Sequence, residues 1–127
     1  MIIDSHCHLS YKDNTENIDN VIQNANDVDV KKFLNIATNL NEFKKIINVS
    51  SKYESVYYTL GIHPHESSQT SQAVIDEIRK YVKDPKMLAI GETGLDFYYN
   101  HAEKSTQIRS LEMHIELSQE TNLPIII

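Results

Sequence analysis

Val56-Tyr57-Tyr58-Thr59-Leu60-Gly61-Ile62-His63-Pro64-His65 sets the pattern for the whole chain. An uncharged run rich in β-branched and aromatic residues breaks abruptly into His-Pro-His. Such a run predicts a strand buried on both faces, as parallel strands are. Moving outward, the outline recurs. Ile2-Ile3 breaks into Asp4-Ser5-His6-Cys7-His8, and Phe33-Leu34-Asn35-Ile36-Ala37 forms a second run. Met87-Leu88-Ala89-Ile90 breaks at Gly91-Glu92-Thr93-Gly94-Leu95-Asp96, and Leu123 to Ile127 is a fifth apolar run.

The intervening segments carry helical periodicity. Ile18, Val21, Ile22, Ala25 and Val28 form one stripe; Leu40, Phe43, Ile46 and Ile47 form another, with Asn39 or Asn41 as cap. Ile75, Ile78 and Val82 form a third, capped by Thr70 or Ser71 and stopped at Asp84-Pro85; Ile108, Leu111, Ile115 and Ser118 trace a fourth. Four strand–helix units and a fifth parallel strand predict an α/β fold built from right-handed βαβ crossovers. Residues 1–127 read as one unit with no linker or low-complexity tract.

With 127 residues, the chain has about half of the ~250 that a closed (β/α)₈ barrel needs. A hydrophobic content of 40% argues against disorder, and a single Cys excludes a disulfide scaffold. No run approaches the ~18 residues of a membrane span, and the first residues lack a signal-peptide pattern. These features point to a cytoplasmic protein without membrane contact. The net charge of −6 disfavours a passive nucleic-acid coat, which should be basic.

Three strand ends present ligand-type residues. His6 and His8, at i and i+2 in extended chain, face the same side and can share a divalent metal; a bare His-x-His fits two polar residues at a strand end equally well. Asp4 shares their parity and either orients a ligand or stops the strand, whereas Cys7 has the opposite parity and reads as a small packing residue. His63 reads as a substrate contact or proton-transfer group, and His65 as a solvent-facing turn residue. Glu92 leaves an apolar strand where an unpaired carboxylate is costly, and its two oxygens can bridge two cations. Asp96 either holds a loop or holds an adjacent His. His114 reads as a packing histidine, His101 as solvated, Tyr57 and Tyr58 as core, and the scattered lysines as solvated faces.

Taken together, Asp4-Ser5-His6-Cys7-His8-Leu9, Gly61-Ile62-His63-Pro64-His65, Ala89-Ile90-Gly91-Glu92-Thr93-Gly94-Leu95-Asp96-Phe97-Tyr98 and Asn122-Leu123-Pro124-Ile125 resemble the TatD family of metal-dependent deoxyribonucleases. The resemblance runs in order along the whole chain. It implies an amidohydrolase-type TIM barrel, here a partial (β/α)₈ barrel of four βα units plus a fifth parallel strand. It implies two divalent ions (Mg²⁺, Zn²⁺ or Mn²⁺), with His6 and His8 as metal ligands, Glu92 as the shared carboxylate, and His63 in the substrate pocket. Glu92 and His63 are then the candidate catalytic residues.

The family draws three further ligands from later strands, the first directly after the Leu-Pro-apolar strand. The expectation is therefore an N-terminal half with at most a partial metal site, incomplete or inactive alone. In the last helix, Leu111 and Thr121 stand where the family tends to have an aromatic residue and Leu. The implied reaction is hydrolysis of DNA phosphodiesters by metal-activated water, the cations reconciling an acidic protein with a polyanionic substrate. Two alternatives stand beside it. One is an amidohydrolase acting on small amides or esters, whose relatives usually bridge their metals with a carbamylated Lys rather than a residue like Glu92. The other is a non-catalytic half-barrel remnant, or an assembly module pairing its open strand edges with a second half or a second copy.

Overall fold

The computed structural model describes residues 1–11, 17–99 and 101–127. Strands β1 (Ile2–Cys7), β2 (Val30–Asn35), β3 (Val56–Leu60) and β4 (Met87–Ile90) form one parallel sheet in the order β1-β2-β3-β4. Helices α1 (Ile18–Asp27), α2 (Phe43–Lys52) and α3 (Gln72–Arg79) connect successive strands, and α4 (Lys104–Thr121) follows β4. Short 3₁₀ turns at Leu40–Glu42 and Pro64–Gln69 precede α2 and α3. No helix among the described residues is long and apolar enough to cross a membrane.

The chain after α4 turns through Asn122 in the left-handed region and runs back along β4. Ile125 pairs parallel with Ile90, and Ile126 N–H donates to the Ile90 carbonyl at 2.9 Å. The fifth apolar run is thus a parallel neighbour of β4, joined through a single bridge rather than a long ladder.

Caps follow the local chemistry. Ser71 caps α3 by accepting from Val74 N–H at 3.4 Å, and Asn39 accepts from Asn41 N–H ahead of α2. Lys86 is not a solvated surface lysine: its ammonium donates to the Ser50 and Tyr53 carbonyls, where α2 leaves acceptors unpaired. Arg79 at the end of α3 grips Glu120 of α4 through two contacts, at 3.0 and 2.9 Å.

Two apolar clusters hold the layers together. The larger packs Phe43, Ile46, Tyr58, Leu60, Ile75, Ile78, Ile90 and Leu117 between sheet and helices. The smaller packs Leu9, Ile18, Ile22, Phe33 and Val56 beneath α1. Two expectations need correction. β1 lies at the sheet edge with Ile2 and Ile3 exposed, so it is not buried on both faces. In α4 the buried positions are Gln107, Ser110, His114 and Leu117, while Ile108 and Ile115 face out. The apolar stripe misled by one position because the inward face is polar and satisfied by specific hydrogen bonds.

Candidate metal centre

All four strands end at the same side of the sheet, which brings residues distant in sequence together. Gly91 N–H donates to the Leu60 carbonyl (2.8 Å) and Glu92 N–H to the Ala37 carbonyl (3.0 Å). Thr59 Oγ1 donates to the Gly91 carbonyl at 2.6 Å. The Gly91–Glu92 peptide is cis. These bonds hang the Glu92 carboxylate over the ends of β2 and β3. A Cβ on Gly61 would lie 2.3 Å from Gly91 Cα, and one on Gly91 would lie 2.5 Å from the Ile126 carbonyl oxygen. Gly91 also has φ +135°. Glycine is required here for the close approach of neighbouring backbones.

Around Glu92 stand three imidazoles. His6 Nε2 is 3.3 Å and His8 Nε2 4.0 Å from Oε2, while His63 Nε2 is 3.7 Å from Oε1. His6, His8 and Glu92 each offer a ligand atom within 4.8 Å of the others. Tetrahedral bonds of ~2.1 Å place neighbouring ligand atoms roughly 3.4 Å apart, so this donor set fits a divalent ion. The carboxylate divides its oxygens, one toward the His6–His8 pair and one toward His63.

The ligand orientations are built in. His8 Nδ1 meets the Ile36 carbonyl at 3.1 Å and donates its proton there, which leaves Nε2 as the lone-pair atom facing Glu92. Tyr11 stacks flat on the His8 ring, with centroids 4.7 Å apart and planes at 9°. Buried Asn35 at the end of β2 fixes the segment after His8, accepting from Leu9 N–H (2.9 Å) and donating to Ser10 Oγ (2.9 Å).

His63 is held by two hydrogen bonds. Its N–H donates to the Thr38 carbonyl at 2.8 Å, and its Nδ1 accepts from His65 N–H at 3.1 Å. Nδ1 being an acceptor, the neutral ring carries its proton on Nε2, toward Glu92. Burial lowers the pKa of His63 despite the opposing pull of Glu92, so the ring is neutral near pH 7. The preceding residue is pinned too: Ile62 N–H donates to His114 Nε2 at 3.1 Å, while His114 Nδ1 donates to the Ser110 carbonyl at 2.7 Å. A pocket of about 330 Å³ lined by Tyr11, Thr38, His63, His65 and Glu66 adjoins the centre.

A match to the TatD-related DNase family model spans residues 3–127. The chain belongs to the TatD family. It is 33% identical over 135 residues to an uncharacterised metal-dependent hydrolase, BU355, of Buchnera aphidicola, covering 99% of this chain and 51% of that protein. It is 35% identical to the 3′-5′ ssDNA/RNA exonuclease TatD of Salmonella typhimurium, over 84% of this chain and 41% of that one. Its backbone superposes on the crystal structure of YjjV, a TatD homologue of Escherichia coli, with a TM-score of 0.91 at 25% identity, over 98% of this chain and 49% of that one. The chain spans about half the length of the curated relatives it matches. The fold is accordingly part of a TatD-type barrel, and the chain is a member of a metal-dependent hydrolase family.

Within this TatD-type frame the sequence-predicted residues fall as follows. His6, His8, His63 and Glu92 converge. Asp4 does not stop β1; it accepts from His6 N–H at 3.1 Å within the strand. Cys7 is half-buried with its thiol toward the Leu34 carbonyl, and burial pushes its pKa up to about 12. His65 is not a solvent-facing turn residue: it pairs with Asp96 at 2.7 Å, which keeps that carboxyl below its usual pKa. Asp96 takes both roles open to it, also accepting from the Tyr98 and Tyr99 amides. Sequence reasoning missed Tyr11, Asn35 and Gln107. Gln107 bridges Asp96 N–H and carbonyl and the Ala102 carbonyl, and its signal was a polar residue at a buried helical position.

Proposed function

We propose that this protein contributes to a metal-dependent phosphodiesterase that hydrolyses DNA, with residues 1–127 forming the N-terminal half of the barrel domain. The observation that carries the reading is the Glu92 carboxylate ringed by His6, His8 and His63 at 3.3–4.0 Å. His6, His8 and Glu92 hold the metal. When bound, divalent ions supply a water of lowered pKa and a Lewis acid for the phosphoryl oxygens. Glu92 directs one oxygen to the His6–His8 side and leaves the other beside His63, positioned to hold the attacking water's proton. His63 presents Nε2–H to the same space, a donor for a non-bridging phosphoryl oxygen whose charge grows in the transition state. His8 is kept in the ligating tautomer by Ile36, and Tyr11 keeps solvent from one face of its ring. On this reading the protein works in the cytoplasm, on nucleic acid and without a membrane partner.

The relatives are about twice as long, so the assay joins residues 1–127 to the C-terminal half of a TatD relative. The expected result is metal-dependent shortening of an end-labelled single-stranded DNA, abolished by Glu92→Gln and reduced at least tenfold by His63→Ala. A folded, metal-loaded chimera that cleaves small amides and leaves DNA intact would overturn the reading. For the chain alone the expected stoichiometry is one weakly bound ion; tight binding of two would contradict a partial site.

A further inference from the structure

The connection from β4 to α4 turns large apolar side chains outward. Leu95, Phe97, Tyr98 and Tyr99 are all exposed, Tyr98 by 85% and Tyr99 by 54%. Single apolar residues scattered over a surface need no explanation, but a contiguous group of them marks a place where something docks.

The backbone beneath these rings is anchored. Asp96 accepts from the Tyr98 and Tyr99 amides at 3.0 and 3.3 Å, and its other oxygen pairs with His65 at 2.7 Å. Buried Gln107 accepts from Asp96 N–H at 2.9 Å and donates to the Asp96 carbonyl at 3.0 Å. The rings thus stand in water on a connection tied to α4 and to the turn after β3. They also order one another. Tyr98 packs edge-to-face with Tyr99, centroids 4.8 Å apart and planes at 86°. Tyr99 meets His65 edge-to-face at 5.7 Å and lies nearly parallel to His101 at 5.9 Å. His65 in turn meets His63 at 4.5 Å, and His63 Nε2 stands 3.7 Å from Glu92. A continuous row of rings leads from the residue beside Glu92 out to Tyr98.

The occupant follows from this arrangement. A planar π-system stacks on an exposed ring, and every nucleobase offers one. The bases of a single strand are free to do so, whereas those of a duplex already stack on each other. Charge is compatible: Asp96 is engaged by His65, and Lys104 lies over Phe97, 5.0 Å from its centroid, a cation beside the rings for the backbone phosphates. Exposed Glu103 carries the opposite sign, so affinity here depends on stacking more than on charge. A lipid or a protein partner would be served by the apolar group alone. A row of rings that ends beside Glu92 suits a strand that must bring its backbone to the metal centre.

We propose that Tyr98 and Tyr99 form a stacking surface for a base of a single-stranded nucleic acid, beside the metal centre. That the base belongs to the strand being hydrolysed rests on the phosphodiesterase reading; the stacking surface itself does not.

The test measures binding without cleavage. The chelator-treated chain is titrated into a short dye-labelled oligothymidylate at low salt, and the anisotropy is followed. Saturable binding is expected, weakened about fivefold or more by Tyr98→Ala or Tyr99→Ala and retained in Tyr98→Phe. An abasic strand with the same phosphates should bind the wild type more weakly and should not tell Tyr98→Ala from it. Tyr98→Ala removes a ring that stands in water, so the melting temperature should be unchanged, in the chain and in the chimera described above. No saturable binding, equal binding of the abasic strand, or Ala variants as tight as the wild type overturns the proposal. A Tyr98→Ala chimera that melts well below its parent overturns it too, because the rest of the barrel then covers the ring. So does a wild-type dimer that Tyr98→Ala dissociates, because a second copy then covers it. The two readings fail separately. Base stacking in a chimera that leaves DNA intact removes the phosphodiesterase alone; cleavage of DNA with unaltered binding in the Ala variants removes the stacking surface alone.

Discussion

Replacing His114 by Ala should cost about 3 kcal/mol. The ring is fully buried, and each nitrogen has one partner: Nε2 accepts from Ile62 N–H and Nδ1 donates to the Ser110 carbonyl. Alanine orphans the buried Ile62 amide, worth about 1–3 kcal/mol, and the lost ring volume adds about 1–2 kcal/mol. His114→Gln retains an acceptor for Ile62 and should recover at least half of the loss. The same geometry sets a pH dependence. Burial depresses the His114 pKa in the folded state, so below pH 6.5 the unfolded chain binds a proton that the folded chain refuses. Stability should therefore fall as pH drops below the unfolded value, by up to about 1.4 kcal/mol per pH unit until the folded ring titrates. His63, lowered by the same cause, contributes a similar slope. The assay is urea unfolding followed by circular dichroism at pH 7.5 and 5.5. His114→Gln should lose its share of the acid sensitivity and keep that of His63. A His114→Ala variant that loses under ~1 kcal/mol, or a Gln variant with the wild-type slope, would refute the account of Ile62 as a pinned residue.

Three further outcomes follow from separate parts of the molecule. Gly61→Ala puts a methyl 2.3 Å from Gly91 Cα, against backbone that cannot swing aside, so a loss of about 3 kcal/mol or more and a drop of roughly 10 °C in Tm are expected by calorimetry. Cys7, with its thiol raised to about 12 from an ordinary 9.0, should react with a disulfide reagent at pH 8 roughly a thousandfold more slowly folded than in urea. Tyr58→Phe removes the 2.8 Å bond from the phenol to Asp84 and should cost about 1–2 kcal/mol in chemical denaturation while leaving metal binding at His6, His8 and Glu92 unchanged.

The fold was legible because its strands obey one rule: a short apolar run, then a break at the carboxyl end. His6, His8, His63 and Glu92 all sit at such breaks, so topology alone predicted that they meet. What was not legible lay where polarity is buried. In α4 the inward residues are Gln107, Ser110 and His114, and a stripe of apolar side chains one position over gave the wrong face. Asn35 was hidden the same way, inside an apolar run. Periodicity measures transfer from water. It is blind to a polar group whose burial is balanced by two or three specific bonds. Gly91 makes room for the backbones of Gly61 and Ile126, a close approach between segments far apart in sequence.

These buried polar residues share a purpose that the apolar core cannot serve. Asn35 fixes the chain after His8, His114 fixes the residue before His63, and Gln107 fixes the loop whose Asp96 holds His65. Each of the three bonds a backbone amide at a strand-end connection. An apolar side chain in the same place would contribute packing without direction, and the loops carrying the imidazoles would be free to shift against the sheet. The sheet sets which residues approach Glu92; the polar side chains behind it set the angle at which they do so. A metal site tolerates errors of a few tenths of an ångström in its ligands, so the second contribution matters as much as the first. Substitution of Asn35 should therefore weaken metal binding at His6, His8 and Glu92, whereas substitutions of His114 and Gln107 should shift His63 and His65 and leave the affinity for the metal closer to that of the wild type.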